Sequence, residues 1–342
     1  MRQILILFIA FLFIGCSNDI ENLEKFKLLP SVQELEFKDT FSNLNFENIK
    51  FAYSVNNTEL PIRYDFTNHI ENNSQSESTI DYHIDSSLDL NQEGYKLDIL
   101  KNKISIVAKD EAGLFYAFTT LDQLIEDSKD QNVNLPMLSI KDYPLIKFRP
   151  IHIDVKHHLE KESYYYQLMD HLAQLKINGI ILEIEDKLKY KRRPEVGSED
   201  ALSIEKWKSI SEYAKKRNIN ISPLVQGLGH ASYILKHEQN KKLRDDPKSD
   251  WAFNPLDPET YKLQFDLYLD AMEATPYAKY LHVGGDEVQT TGRKSGKSAL
   301  ELNLIWLNKV SAFAEKHNRI PIFWDDMLLK QGEVYYPIYD LN

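Results

Sequence analysis

The chain has 342 residues, 42% of them hydrophobic, with 52 acidic and 41 basic side chains and a formal charge of −11 at pH 7. That length suits two domains or one large α/β barrel with an extra piece, and the apolar content is that of a globular protein rather than a disordered one. The acidic balance argues against a nucleic-acid partner, because phosphate-backbone binding depends on Lys and Arg displacing counterions.

The chain starts MRQILILFIAFLFIGCSND, with Arg2 ahead of an apolar run from Ile4 to Ile14, then Gly15 and Cys16. Residues 1 to 15 read as a secretory signal, too short for a convincing membrane-spanning helix. The stretch resembles the bacterial lipoprotein signal, in which a small residue precedes a cysteine that is acylated and becomes the new amino terminus. That resemblance implies lipidation of Cys16, a linker over residues 16 to 24, and a protein held at the bacterial cell envelope by acyl chains. Cys16 is the only cysteine, so no thiol then remains for a disulfide or a nucleophile. The alternative is an ordinary cleaved signal that contains a cysteine.

Residues 25 to 145 form the first zone, polar and rich in Asn and Ser. Short alternating runs such as IKFAYSV, from Ile49, and YKLDI, from Tyr95, read as strands. AGLFYAFTTLDQLIED (112 to 127) carries apolar residues at helical spacing, which makes the zone a small α+β domain with one clear helix. NNSQSES (72 to 78) reads as a loop, and Pro144 and Pro150 mark a change of rhythm.

From residue 146 to 342 strands and helices alternate. Strands are expected over 148–155, 179–185, 220–225, 280–284 and 320–324. Helices are expected over 162–175, 203–217, 258–274 and 298–317, the third of them announced by Asp257 and Pro258 as N-cap and first-turn residue. This order implies parallel pairing with right-handed crossovers. Polar residues gather where the strands end: Lys156, His157 and His158; Glu185 and Asp186; Gln226 and His230; Asp286 and Glu287; Asp325 and Asp326. In a (β/α)8 TIM barrel the active site is built at those carboxyl ends.

The fourth strand runs into LHVGGDEV (281 to 288), where two acids follow two glycines. Adjacent carboxylates repel, so stability alone does not place them together. Gly284 and Gly285 tolerate the bulge or turn that would swing both toward one site. Neighbouring α-carbons are only ~3.8 Å apart, however, so the pair cannot straddle a sugar ring as a nucleophile and an acid do.

HVGGDEV (282 to 288) resembles the signature of glycoside hydrolase family 20, the β-N-acetylhexosaminidases. EGYKLDILKNKISIVAKDEAGLFYAFTTLDQLI (93 to 125) is similar to that family's small preceding domain. FRPIHIDVKHH (148 to 158), PLVQGLGH (223 to 230) and FWDD (323 to 326) resemble its first, third and fifth barrel strands. LEIED (182 to 186) and PLVQGLGHASYILKH (223 to 237) look closest to the hexosaminidase D-like branch. The resemblance implies substrate-assisted catalysis, with the sugar's own 2-acetamido carbonyl as nucleophile and the β configuration retained. It implies Asp286 as the group that orients the amide and Glu287 as general acid, then base, its proton affinity raised by ionised Asp286. It also implies His230 as a contact of the acid, backed by Glu185 or Asp186, and Trp324 as a wall around the acetamido methyl. Asp325 and Asp326 are candidates for sugar hydroxyls.

Two departures from the family's pattern stand out. Where many members carry an arginine three residues after the first-strand aspartate, here Asp154, this chain has His157, which lacks the bidentate fork, with Lys156 beside it. Only five of eight expected strands are legible, which suggests a barrel incomplete at the carboxyl end, with VYYPIYDLN (334 to 342) able to begin another element. The expected partner is a glycan with terminal N-acetylhexosamine, without cofactor or metal. Two competitors are a lipid-anchored glycan-binding protein without turnover and a metal-dependent hydrolase using His282, Asp286 and His230, although no compact ligand spacing such as HExxH occurs.

Overall fold

A computed structural model describes residues 26 to 44, 49 to 53, 74 to 156 and 158 to 328. The signal segment, Cys16, His157 and the VYYPIYDLN stretch lie outside the described residues. The chain divides into two compact units, at Leu145 and Ile146.

The first unit is a six-stranded mixed sheet with one long helix. Its strands are β1 (Glu34–Phe41), β2 (Lys50–Tyr53), β3 (Thr79–Ile84), β4 (Tyr95–Ile99), β5 (Lys103–Ala108) and β6 (Pro136–Asp142), in the order β1-β6-β4-β5-β3-β2. Helix α1 (Glu111–Gln131) begins where the Asp110 side chain accepts the Gly113 amide at 2.8 Å and ends at Asn132, which takes the left-handed conformation with φ 54°. Period-two burial in β4 and β5 turns Leu97, Ile99, Ile104 and Ile106 inward, each fully buried, against Leu114, Phe118 and Leu121 of the helix.

The second unit is a five-stranded all-parallel sheet whose spatial order follows the chain: β7 (Pro150–Asp154), β8 (Gly179–Glu183), β9 (Asn220–Leu224), β10 (Tyr280–His282) and β11 (Ile320–Ile322). Its helices are α2 (Glu162–Gln174), α3 (Ile204–Lys215), the short α4 (Ser232–Leu235), α5 (Pro258–Ala274) and α6 (Ala299–Lys316). Local sequence starts three of them: the side chains of Ser203, Asp257 and Ser298 each accept a first-turn amide, and Ser298 and Glu301 form a capping box. Trp207 and Trp306 anchor α3 and α6 and are fully buried. Sequential parallel strands joined by helices are the repeating unit of a (β/α) barrel.

Three strands end sooner than their apolar runs suggest. β8 stops at Glu183 and the chain enters a 3-10 turn over Glu185–Lys187, with Glu185 at φ 35°. β10 stops at His282 because Gly284 and Gly285 turn to φ 68° and 100°. β11 stops at Ile322, after which the Trp324 amide donates to the Gly284 carbonyl at 3.1 Å.

Candidate active site

Strand register puts Asp154, Glu183, Leu224, His282 and Ile322 in one row across the carboxyl ends of the five strands. Glu183 is the hub of the first three. Its side chain is 4% exposed, with Oε2 3.0 Å from His152 Nε2 and Oε1 3.2 Å from Lys156 Nζ. Gln226, just past β9, donates its Nε2 to Glu183 Oε1 at 3.1 Å. Lys156 also lies 2.9 Å from Asp154 Oδ2. Burial works against its charge, but Asp154 and Glu183 outweigh that and hold its pKa well above the ordinary lysine range. A buried carboxylate requires such partners. Sequence reasoning did not single out Glu183; the available signal was one acid closing the buried run GIILE.

Gly284 and Gly285 do what the sequence suggested. Beyond them both acids turn to one imidazole: His230 Nε2 is 3.3 Å from Asp286 Oδ2 and 3.6 Å from Glu287 Oε2. Glu287 and His230 themselves adopt left-handed φ of 47° and 48°, conformations that cost a non-glycine residue of order 1 kcal/mol each and persist where surrounding contacts enforce them. Those contacts are visible. The Glu287 amide donates to Asp326 Oδ2 at 3.0 Å, and its carbonyl accepts the Trp251 indole N–H at 3.2 Å. The Trp251 ring in turn lies 4.4 Å from the His230 ring.

The two acids differ in their surroundings. The Asp286 side chain is 21% exposed, whereas that of Glu287 is 72% exposed. Burial raises the pKa of Asp286, and the facing His230 together with nearby amides opposes the rise. Asp286 Oδ1 is buried without a hydrogen-bond donor, as is Gln226 Oε1 without one. A buried acceptor left open is uncommon and marks a place where a ligand could supply the missing donor. Trp324 stands over this region, its ring 4.7 Å from that of His282 and 6.0 Å from that of His152. Burial lowers the pKa of His282 to about 3, with His152 a smaller cause, so its ring is neutral.

The carboxylates paired with His230 among the described residues are Asp286 and Glu287 and neither Glu185 nor Asp186, which corrects the expectation that one of the latter backs it. After the 3-10 turn that follows β8, Glu185 is buried with its carboxyl facing the charges of Glu183, Lys156 and Asp154, and Asp186 lies 3.5 Å from Lys187 and 3.9 Å from Lys236. Burial, then repulsion from Glu183, raises the pKa of Glu185 to about 8. Asp325 is exposed, and it is Asp326 that reaches the acid's backbone. His158 pairs with Glu160 at the surface. Among the described residues no three His, Cys, Asp or Glu side chains converge as metal ligands would.

Residues 146–338 match the family described as glycosyl hydrolase family 20, catalytic domain, and residues 26–143 match its domain 2. Hexosaminidase D of Bos taurus is 30% identical over 192 residues, covering 53% of this chain and 56% of its own length. A β-hexosaminidase of Porphyromonas gingivalis is 27% identical over 288 residues, 72% of this chain and 37% of that protein. The chain thus spans about half or less of these relatives. Among solved structures, β-N-acetylhexosaminidase from Bacteroides fragilis superimposes with a TM-score of 0.74 at 21% identity, over 90% of this chain and 67% of that one. The Flavobacterium johnsoniae chitobiase superimposes with a TM-score of 0.73 at 22% identity, over 89% and 53%. At such identities the superpositions establish the fold: the arc of parallel strands belongs to a barrel catalytic domain preceded by an α/β domain.

Proposed function

The chain belongs to glycosyl hydrolase family 20, and from that membership we propose that the protein is an exo-acting, retaining β-N-acetylhexosaminidase that works by substrate assistance. The observation that carries this reading is the inequality of the paired acids. Asp286 is sheltered, beside His230, with one oxygen open to a donor; Glu287 faces solvent, where a leaving group and then water must pass. In this reading the acetamido N–H of a terminal N-acetylhexosamine donates to Asp286, which holds the amide so that its carbonyl oxygen attacks the anomeric carbon. The glycosidic C–O bond breaks as Glu287 gives its proton to the departing oxygen, leaving a cyclic oxazolinium whose positive charge Asp286 offsets. Water then attacks the anomeric carbon from the vacated side, Glu287 takes its proton, and the acetamido group is restored with the β configuration kept.

Lys156, held by Asp154 and Glu183, stands in the region where the sugar's hydroxyls would lie, and Trp324 offers a flat apolar face for the acetamido methyl. Cys16 serves, in the same reading, as the lipid attachment that holds the enzyme at the bacterial cell envelope. Incorporation of a labelled fatty acid that is lost in Cys16→Ser tests that part.

A chromogenic β-N-acetylhexosaminide tests the chemistry. Hydrolysis is expected, with Glu287→Gln and Asp286→Asn each losing roughly 10²- to 10⁴-fold in turnover. Equal rates on a chromogenic glucoside lacking the acetamido group would overturn the mechanism. Binding of a thiazoline inhibitor without any hydrolysis would favour the non-catalytic glycan-binding reading instead.

A further inference from the structure

Trp251, whose ring lies against that of His230, also lines a cavity of about 660 Å³ that the catalytic roles leave unused. Gln289 lines it as well, and Lys248, Arg293 and Lys294 supply its charge, with Asp245 and Asp246. The balance among these groups is clearer than the count suggests. The Asp245 side chain is buried and committed to its own loops: it accepts the Thr291 amide at 2.7 Å, the Thr291 hydroxyl at 3.0 Å and the Arg293 amide at 2.9 Å. Asp246 is exposed and accepts the Lys248 amide at 2.9 Å.

None of Lys248, Arg293 and Lys294 has a carboxylate partner within ion-pair distance among the described residues. The segment 289 to 297, QTTGRKSGK, carries three cations and no anion in a chain whose formal charge is −11. The segment is also held in an uncommon form. Gly292, Arg293 and Lys294 follow one another at φ 55°, 54° and 65°, and a β-carbon on Gly292 would meet Ser295 Oγ at 2.7 Å. Two non-glycine residues in the left-handed region are kept there by tertiary contacts, among them the Arg293 guanidinium on the Arg244 and Lys242 carbonyls.

We propose that this cavity is the subsite for the leaving group and that it takes a saccharide bearing a carboxylate, so that the preferred substrate is an N-acetylhexosamine joined to an acidic sugar. The inference rests on the hexosaminidase reading, since it is Glu287 that defines which side the leaving group occupies. The cavity wall and the acid are one unit: Trp251 bonds the Glu287 carbonyl, and Gln289 follows Glu287 by two positions. A sugar ring stacked on Trp251 would bring its substituents toward three cations that outnumber the one exposed lining carboxylate, Asp246, and form no ion pair among the described residues.

The test compares two β-1,4-linked disaccharides with the same terminal N-acetylglucosamine. One has N-acetylmuramic acid, with its lactyl carboxylate, at the reducing end; the other has N-acetylglucosamine there. The ratio of kcat/KM for the acidic over the neutral disaccharide is expected to be about tenfold at low ionic strength and to fall toward about twofold near 0.5 M salt, as a few screened ion pairs dictate. In Lys248→Ala combined with Lys294→Ala that ratio should approach one. Because both substrates are measured on the same preparation, a loss of folded protein cancels. Hydrolysis of both disaccharides at equal rates by the unaltered protein overturns the subsite and leaves the enzyme reading standing.

Calorimetry of the two disaccharides on Glu287→Gln separates the converse case. Tighter, salt-sensitive binding of the acidic disaccharide, with no hydrolysis of either by the unaltered protein, overturns the enzyme reading and with it the leaving-group role, leaving a site that only binds acidic sugars; equal binding overturns the subsite.

Discussion

The Oε1 atom of Gln226 fills the space into which a β-carbon on Gly284 would project, 2.2 Å from it. Gln226 cannot simply move aside. It is 2% exposed, its Nε2 is bonded to Glu183, and its main-chain oxygen accepts the Tyr233 hydroxyl and the Gln264 amide. Gly284→Ala should therefore cost about 1 to 3 kcal/mol of stability through a displaced hydrogen bond and a strained φ, with at least tenfold loss of turnover as the turn carrying Asp286 and Glu287 shifts. Denaturant unfolding and the chromogenic assay check both effects. Combining it with Gln226→Ala should recover part of the stability cost; strict additivity would show that the two sites do not meet.

Removal of the Glu183 charge should be felt by every group around it. Glu183→Gln leaves Lys156 with Asp154 alone and His152 without its carboxylate, and a loss of about 2 to 4 kcal/mol is expected. The double variant with Lys156→Met should cost clearly less than the sum of the single changes. A Glu183→Gln protein as stable as the parent would rule out the hub.

Glu185 should make stability fall as pH rises. Its folded pKa, about 8, lies above the 4.5 of an ordinary glutamate, so the folded state holds a proton that the unfolded chain releases. Its contribution is full below about pH 4.5 and is lost as pH rises toward about 8, with a slope of up to ~1.4 kcal/mol per pH unit. Denaturant unfolding of the protein and of Glu185→Gln at several pH values isolates this term, since other titrating groups cancel in the difference. A difference that is flat between pH 5 and 8 would contradict it.

Trp251 makes two separable contacts with the site. Trp251→Phe keeps a ring against His230 but removes the donor to the Glu287 carbonyl, so turnover should fall roughly two- to tenfold, the worth of one hydrogen bond. Trp251→Ala loses both contacts and should fall further. Because the side chain is 40% exposed, melting should change by less than about 1 kcal/mol in the Phe variant. Full activity in both variants would remove Trp251 from the site.

Much of this molecule was legible along the chain. The alternation of apolar runs and amphipathic stretches after residue 146 marks the five parallel strands and their helices, and Asp257 with Pro258 locates the start of α5. HVGGDEV announces the paired acids because glycines take at little cost the positive φ values of the turn that brings both toward one place. These features rest on interactions within a few residues, which is the range over which sequence alone dictates conformation.

What escaped is of another kind. Glu183, rather than Glu185 or Asp186, is the second-strand carboxylate at the hub, because the chain leaves β8 two residues earlier than its apolar run suggests. Trp251 and Asp326 reach Glu287 from 36 and 39 residues away. By itself, then, the sequence determined the strand and helix order and the turn that presents the two acids, since both follow from local backbone preferences and apolar periodicity. The tertiary structure alone decided which distant side chains surround those acids, because parallel strands are joined through intervening helices and their register is set by packing across the sheet.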